Sequence, residues 1–574
     1  MSLFLGLDMG IFEIITPENA RDEVREIRKG IVVVDRRWSR AREFYFAVSY
    51  NIEPKFWMIP AVVYNGNRYG RGVFPRPKLG ECWFFREDRC SIPSAAVVED
   101  DEYVVGVFVE PARREDELSS VSVQPRRIVI RIPWTERPLR YVAKGILKRQ
   151  HTEYFGTEIE YSRRFYVISA KYREHGFRRG YHLFVEYAWE LLKGQTPRIS
   201  PRMLSRYIGL KASFALNIHH FKLGRIESFF QYVLPNTPIA VSLVSSGFIG
   251  KSMEAAVSLY RIYLMNGDKR LRDIAFRVAD FHCRGFKDCV LLTDYHLARR
   301  KWYGYAPRYI KYANTRQIGE TLYSLLRLYM LSKQQRDYRP HWLEISRRVA
   351  DYLLRIQRED GAFGKWIDPR SHKVLYGGTN DAYIIWFLVL LHRITGKGEY
   401  LRACEKAMDY HILNHVEEEA YWGDTLDSDC QDKEAGHAIL RASLLMYEAT
   451  NSVRYLEAAE RAAFYVASWM FMWDAPFRSN TILHKYRFST KGWTVVSVEN
   501  QHLDPYGIVI APDMIRLYKY TKRVLWREIG LTMANAAMNM ISHNQRVLGM
   551  SKFFIGYQPE QIYHTDWKYS SLLQ

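Results

Sequence analysis

The pattern of apolar and polar residues changes once along the chain, near residue 175. Between about residues 30 and 170, apolar residues alternate with polar ones in short runs that are rich in β-branched and aromatic side chains and are separated by turns. Such runs are typical of β-strands. They predict strands at 44–48, 56–64, 104–109, 127–132 and 165–170. We therefore expect a β-sandwich-like domain at residues 1–175, followed by a linker helix at 176–200.

Helical periodicity dominates from residue 181 to the end of the chain. A weak internal repeat recurs within this part, and its copies begin near residues 277, 348, 406, 461 and 532. The copies are 55 to 71 residues apart, a period that suits one helical hairpin with its loop. The sequence therefore predicts a mainly α fold with an (α/α)6 helical-hairpin toroid at residues 201–574, in which helices near 181–216 and the C-terminal end form the sixth hairpin.

Connections within the predicted hairpins are short, whereas connections between hairpins are long. The long connections are 285–315, 358–379, 414–433, 473–504 and 543–574. In a ring of helices that alternate up and down, all connections of one kind lie on the same face. Long loops in a compact domain usually carry function. This face of the toroid is therefore the predicted active-site face.

Carboxylates are concentrated in these long loops, at the points where apolar helices begin. Cleavage of a glycosidic bond needs two facing carboxyl groups, one protonated and one ionised. The predicted catalytic residues are Asp381, Asp432, Glu434 and Glu499, with one of the middle two opposed to Asp381 or Glu499. Glu499 is the preferred base or nucleophile, because the polar run 500–502 beside it favours its ionised form. Acids at helix starts are also typical of N-terminal caps, and this alternative stays open for each of them.

Aromatic residues make up 15% of the chain, including 40 Tyr and 15 Trp. An aromatic ring can stack on the C–H face of a sugar, or it can simply fill a core. The residues in the long loops that we predict to bind substrate are Trp366, Tyr376, Trp422, Trp493, His502 and Trp567. The polar and aromatic segment 556–567 is expected to fold back over the mouth of the toroid.

Other chemistry finds less support in the sequence. The formal net charge is +20, but the basic residues are scattered and form no nucleic-acid motif, so no specific nucleic-acid partner is expected. No phosphate-binding or dinucleotide motif follows a predicted strand, and we predict no cofactor. Asp427, Asp429 and Asp432 have an oxygen-rich spacing but lack the glycine and final glutamate of a calcium loop, so no metal is predicted.

The sequence also bears on location. The longest apolar run, 382–391, is shorter than the ~20 residues of a membrane span, and no signal peptide is recognisable at the start. We expect a cytoplasmic protein with no membrane partner. The six cysteines are expected to be free thiols, with a bridge between Cys82 and Cys90 as the alternative.

Taken with the hairpin repeat and the acid-bearing loops, the segment 357–364 makes the chain similar to the six-hairpin glycosidase superfamily. The resemblance covers residues from about 30 to the end, but the acids match no single family's catalytic motif. It implies a β-sandwich before an (α/α)6 toroid, and a glycoside hydrolase that acts on a neutral or mildly acidic carbohydrate.

Three alternatives remain beside the hydrolase. A polysaccharide lyase on the same scaffold would use Tyr303, Tyr305 and Arg308. A terpene-cyclase-like protein is indicated faintly by the segment 357–366 and the acids at 427–429. A glycan-binding protein without catalysis is the third.

Overall fold

The structure is a computed structural model. It describes residues 10–67, 83–136, 155–230, 233–234, 237–240, 243–248, 251–304, 312–423, 429–543, 555–566 and 568–569. Of the residues singled out in the sequence, Cys82, Tyr305, Arg308, Asp427 and Trp567 lie outside these ranges.

Two antiparallel sheets occupy the first part of the chain. Their strands are β1 (Phe12–Ile15), β2 (Ala20–Arg28), β3 (Ile31–Ala41), β4 (Phe44–Tyr50), β5 (Phe56–Ile59), β6 (Val63–Tyr64), β7 (Phe85–Arg86), β8 (Ala96–Glu99), β9 (Tyr103–Val109), β10 (Ser120–Gln124), β11 (Arg127–Ile132) and β12 (Ile159–Lys171). One sheet has the order β1-β4-β11-β10-β7, and the other has the order β2-β3-β12-β9-β8-β5-β6. Alternate residues of β4 are buried, as its sequence pattern predicts. The sheets contact each other through Phe46 and Phe165, whose stacked rings have centroids 3.9 Å apart.

The rest of the chain is mainly helical. The described residues form thirteen α-helices, which are α1 (Gly180–Leu192), α2 (Pro201–Phe214), α3 (Ser252–Asn266), α4 (Lys269–Cys283), α5 (Thr315–Gln334), α6 (Pro340–Ile356), α7 (Ala382–Thr395), α8 (Gly398–His411), α9 (Lys433–Thr450), α10 (Val453–Ser468), α11 (Ile482–Lys485), α12 (Gly507–Thr521) and α13 (Val524–Ala536).

Short strands lie in the connections between the helices. They are β13 (His220–Leu223), β14 (Ile226–Phe229), β15 (Val233–Leu234), β16 (Thr237–Ala240), β17 (Leu243–Ser245), β18 (Phe286–Lys287), β19 (Val290–Leu291), β20 (Asp294–His296), β21 (Lys301–Tyr303), β22 (Ala313–Asn314), β23 (Trp366–Ile367), β24 (Val374–Leu375), β25 (Thr494–Val495), β26 (Leu503–Asp504), β27 (Ile562–Tyr563) and β28 (Lys568–Tyr569).

Five helical hairpins follow one another: α3–α4, α5–α6, α7–α8, α9–α10 and α12–α13. The first helix of each hairpin packs against the first helix of the next, so these five helices form an inner layer. The apolar pattern explains why α7 lies in the inner layer and α6 does not. Every residue of α7 from Ala382 to Leu391 is buried, whereas α6 buries only one stripe of residues. This arrangement is consistent with an α toroid. The sixth hairpin stays a prediction.

The long connections between hairpins contact one another at one end of the inner helices. The Thr379 amide donates to the Trp422 carbonyl over 3.0 Å, and the Val498 amide donates to the Gln431 carbonyl over 3.1 Å. Three of the long loops therefore share one face. No helix among the described residues is long and apolar enough to cross a membrane. Cys90 is a buried free thiol.

Gly319 marks the closest approach of two inner helices. A Cβ atom at this position would lie 2.4 Å from the carbonyl carbon of Tyr383 on α7, closer than real contacts allow. We expect Gly319→Ala to push α5 and α7 apart and to destabilise the fold by about 1–3 kcal/mol. Thermal unfolding checks this expectation. Gly209→Ala on α2 is the matched control, because no atom lies within 4 Å of its added Cβ. The control should be neutral or stabilising, and equal melting temperatures for both variants would contradict the packing argument.

Candidate active site

Charged side chains from the starts of several inner helices meet at the face where the long loops lie. All of them are buried, and the most exposed is Asp504, with 7% of its surface accessible. The set comprises Arg316 on α5, Lys433 and Glu434 on α9, and Asp504 just before α12. Buried charges are costly unless they are paired. Their concentration at one place therefore indicates a site rather than ordinary packing.

Arg316 joins carboxylates from two inner helices. Its Nη1 lies 2.6 Å from Glu434 Oε2 on α9, and its Nε lies 3.4 Å from Glu320 Oε1 on its own helix. The guanidinium is held between the rings of Phe248 and Tyr383, whose centroids are 4.6 and 5.0 Å from Cζ. Such packing fixes the orientation of the guanidinium. Arg316 therefore holds Glu434 at a defined place on this face.

Lys433 joins Glu434 to a second carboxyl group. Its Nζ lies 2.6 Å from Asp504 Oδ2 and 3.6 Å from Glu434 Oε1. Asp504 Oδ1 accepts hydrogen bonds from the Thr494 hydroxyl over 3.1 Å and from the Tyr506 amide over 3.2 Å. Glu434 and Asp504 thus both lie close to one ammonium group.

The two carboxyl groups have pKa values shifted in opposite directions. Burial alone would raise the pKa of Glu434, but Arg316 and Lys433 outweigh it and hold this pKa below its ordinary value. Burial raises the pKa of Asp504, and Lys433 offsets this effect only in part. Two acids whose pKa values are shifted in opposite directions are typical of sites where one carboxyl group donates a proton while the other stays ionised.

A second layer of polar residues orients Tyr506. Its hydroxyl lies 3.1 Å from Nδ1 of His437, while Nε2 of His437 lies 2.9 Å from Asp513. Burial and the nearby Arg441 lower the pKa of His437 to about 4, so the imidazole is neutral. A neutral imidazole that donates to Asp513 through Nε2 can only accept at Nδ1. The Tyr506 hydroxyl therefore donates to His437, which fixes the ring beside Lys433, 5.1 Å from its Nζ.

Of the four predicted catalytic acids, Glu434 lies at this centre. Asp432 is the N-cap of α9, because its Oδ1 accepts from the Ala435 amide over 2.6 Å. Asp381 accepts hydrogen bonds from the amides of Phe363 and Gly364, the latter over 2.9 Å, and its Oδ1 lies 3.1 Å from His411 Nε2. The helix cap and the loop backbone thus give both carboxylates partners, and a catalytic role for Asp432 or Asp381 stays a prediction.

Glu499 lies in the turn between β25 and β26. The neighbouring Val498 amide binds the carbonyl of Gln431, and the Gln501 side chain donates to the carbonyl of Ala61 over 3.3 Å. The turn therefore sits between the start of α9 and the β-rich part. A catalytic role for Glu499 stays a prediction.

The predicted aromatic residues divide into two groups. Trp366 and Trp493 are buried, and Trp493 packs edge-on against Phe488 with ring centroids 5.1 Å apart. Both rings contribute to the core in this structure, and sugar binding by either of them stays a prediction. Tyr376 is 56% exposed and Trp422 is half-buried, so sugar stacking by either of them stays a prediction. His502 is largely buried, with its ring 5.5 Å from that of Tyr563.

Three residues of this site, Arg316, Lys433 and Asp504, were not predicted from the sequence. The available signal was a charged residue in or just before the first turn of an apolar helix, a position that Arg316 shares with Glu434. Among the described residues, no group of three or more His, Cys, Asp or Glu side chains is arranged to hold a metal ion.

The cap assignment gives a direct prediction. Asp432→Ala removes the hydrogen bond to the Ala435 amide, so we expect it to lower the free energy of unfolding by about 0.5–2 kcal/mol. Asp432→Asn keeps an acceptor at the same place and should leave both the melting temperature and the turnover close to wild type. A large loss of turnover in Asp432→Asn would instead support a catalytic role for Asp432.

No protein family matches the sequence, and no curated protein does so either. Among solved structures, the chain is similar to a D-mannose isomerase, with 12% identity and a TM-score of 0.49 over 66% of this chain and 94% of that chain. It is also similar to an unsaturated glucuronyl hydrolase from Streptococcus agalactiae, with 12% identity and a TM-score of 0.41 over 64% and 88% of the two chains. A polysaccharide lyase matches with 11% identity and a TM-score of 0.43 over 92% and 82%. All three are six-hairpin glycosidase-like enzymes, and at these identities the similarity concerns the fold alone.

Proposed function

We propose that the chain is a glycoside hydrolase in which Asp504 and Glu434 act as the paired carboxyl groups. Asp504 protonates the oxygen of the leaving group, and ionised Glu434 acts on the anomeric carbon. The observation that carries this proposal is the meeting of two buried carboxyl groups at Lys433 Nζ, 2.6 Å from Asp504 and 3.6 Å from Glu434, and the opposite shifts of their pKa values agree with it. Residues 1–175 would form the β-sandwich, 176–200 the linker helix and 201–574 the (α/α)6 catalytic toroid.

The spacing of the pair favours retention of configuration. The distances of 2.6 and 3.6 Å from Lys433 Nζ limit the separation of the two nearest oxygens. That limit is about 6 Å, which fits the ~5 Å spacing of retaining enzymes better than the 6.5–9.5 Å of inverting ones. In a retaining enzyme, Glu434 is the nucleophile and water later hydrolyses the glycosyl-enzyme ester. The anomer formed first, observed by proton NMR, tests this point.

The rate of hydrolysis is expected to follow a bell-shaped pH profile. Asp504 must carry its proton, so the rate falls as the pH rises through its pKa, and Glu434 must be ionised, so the rate also falls as the pH drops through its pKa. The Glu434 pKa is lowered from 4.5 and the Asp504 pKa is raised from 3.8, which widens the window between them. The measurement is kcat/KM against pH for the wild type and for Asp504→Asn. The alkaline limb should disappear in the variant, and an alkaline limb that persists in Asp504→Asn would contradict the assignment.

A polysaccharide lyase is the second candidate, because Arg316 and Lys433 lie in the same site as the Tyr506 hydroxyl. Such an enzyme neutralises a uronate with basic side chains and removes a proton from the carbon beside it. Incubation with aryl glycosides and with uronate polysaccharides separates the classes. Release of the aryl alcohol is expected. An unsaturated product would make the protein a lyase, and binding without turnover would make it a glycan-binding protein.

A further inference from the structure

A cleft lies where the β-rich part meets the long connection between α10 and α12. It has a volume of about 1190 Å³ and is lined by residues 113–116 and by side chains from 474–488. The volume exceeds the ~300–1,000 Å³ typical of a site for one small ligand, and it suits several linked sugar units. None of the charged residues around Glu434 lines this cleft.

The acids of the cleft already have partners. Glu115 Oε1 lies 2.6 Å from Arg478 Nε, so this ion pair joins the two walls. Asp116 lies 3.1 Å from Arg114. Asp474, the third acid, accepts a hydrogen bond from the Ser489 hydroxyl over 2.5 Å.

Two arginines remain available to a ligand. Arg113 stands on the β-rich wall and Arg487 on the helical wall, and both are exposed. In the part of the chain that the structure describes, neither side chain forms an ion pair with a carboxylate. A guanidinium binds a carboxylate through two parallel hydrogen bonds. The cleft thus offers two positive groups, one on each wall, to an anionic ligand.

The rest of the lining indicates which anion. Phe477 is half-buried and offers an apolar surface to the C–H face of a sugar, while the exposed Ser479 and Asn480 beside it offer a hydroxyl and an amide to sugar hydroxyls. A densely charged polyphosphate would meet the acids at 115, 116 and 474. A chain of uronic acids carries one charge per sugar, with neutral hydroxyls between the charges. Its carboxylates suit the two arginines, and its hydroxyls and C–H faces suit the polar and aromatic side chains between them. We propose that the cleft binds an oligosaccharide that carries carboxylate groups.

The site goes beyond the proposed hydrolysis, because it requires no bond cleavage. It is nevertheless connected to the Glu434 face through the same loop. Phe488 lines the cleft and contacts Trp493, and the next residue, Thr494, donates its hydroxyl to Asp504. A saccharide chain held in the cleft would therefore lie along the loop that carries the proposed acid.

Calorimetric titration of the full chain with a tetrasaccharide of galacturonic acid tests the proposal. Asp504→Asn serves as the background, so that turnover does not consume the ligand. Replacing Arg113 and Arg487 together by glutamine should weaken binding by at least about tenfold, because each loses a charge-assisted contact. The matched control is Arg202→Gln with Arg206→Gln on α2, which removes the same charge from an exposed surface. The control should change the Kd by less than about twofold.

Specificity is measured in the same experiment. The carboxyl-reduced, neutral tetrasaccharide should bind at least about tenfold more weakly than the acidic one. Three results would each overturn the proposal: no saturable binding of the acidic tetrasaccharide, equal weakening by the two double variants, or tighter binding of a single-stranded oligonucleotide through Arg113 and Arg487. Failure of the proposed hydrolysis would leave the binding result unchanged, so the two ideas are tested separately.

Discussion

Glu434→Gln is expected to lower kcat on every glycoside by about a thousandfold or more. The carboxylate is the ionised member of the pair, held at its place by Arg316 at 2.6 Å. Glutamine has nearly the same shape but can neither attack the anomeric carbon nor stabilise positive charge there. The loss should therefore occur with good and poor leaving groups alike.

Asp432→Asn is the matched control for this variant, because it also removes a carboxylate from the start of α9 but preserves the N-cap. Steady-state rates of both variants are compared on one aryl glycoside, with circular dichroism to confirm folding. A Glu434→Gln enzyme that keeps normal turnover would remove this residue from the mechanism.

The second large effect is on stability and concerns Arg316. Arg316→Met leaves the buried carboxylates of Glu434 and Glu320 without the guanidinium that lies beside them. Breaking a buried ion pair from one side costs about 3–5 kcal/mol, most of it from the charge left uncompensated. We expect a fall of this order in the free energy of unfolding.

A double-mutant cycle separates this cause from lost packing. Adding Glu434→Gln to Arg316→Met removes one stranded charge, so the double variant should be more stable than Arg316→Met alone. Thermal unfolding at neutral pH gives the comparison. If the second change lowers the melting temperature further by its full separate amount, the two residues are not coupled and the pair does not organise the site.

The hairpin architecture could be predicted from the sequence because the burial of a helix is reflected in the pattern of apolar residues within that helix. The inner helix α7 is apolar all round, whereas the outer helix α6 shows only an apolar stripe. Loop length also follows topology, and the contacts between Thr379 and Trp422 and between Val498 and Gln431 place the long loops together. Both signals depend on residues close in sequence.

The chemistry of the site could be predicted only in part. Asp432 and Glu434 stand two residues apart at the start of one helix, yet the first caps the helix and the second meets Arg316. Nothing local separates these roles, because the partner of Glu434 is more than a hundred residues away in the chain. Trp493 is buried and Tyr376 is exposed, although both lie in long loops. Residue type alone does not distinguish a buried ring from an exposed one.

The dependence of the rate on the leaving group distinguishes the role of Asp504 from that of Glu434. Asp504→Asn removes the proton donor of the first step, so kcat/KM for an alkyl glycoside should fall by about 10²–10⁴-fold, whereas kcat/KM for a dinitrophenyl glycoside, whose leaving group needs no proton, should stay near the wild-type value. Glu434→Gln should lose activity on both substrates. Equal losses on both substrates in Asp504→Asn, or normal rates on both, would contradict the assignment of Asp504 as acid and Glu434 as its ionised partner.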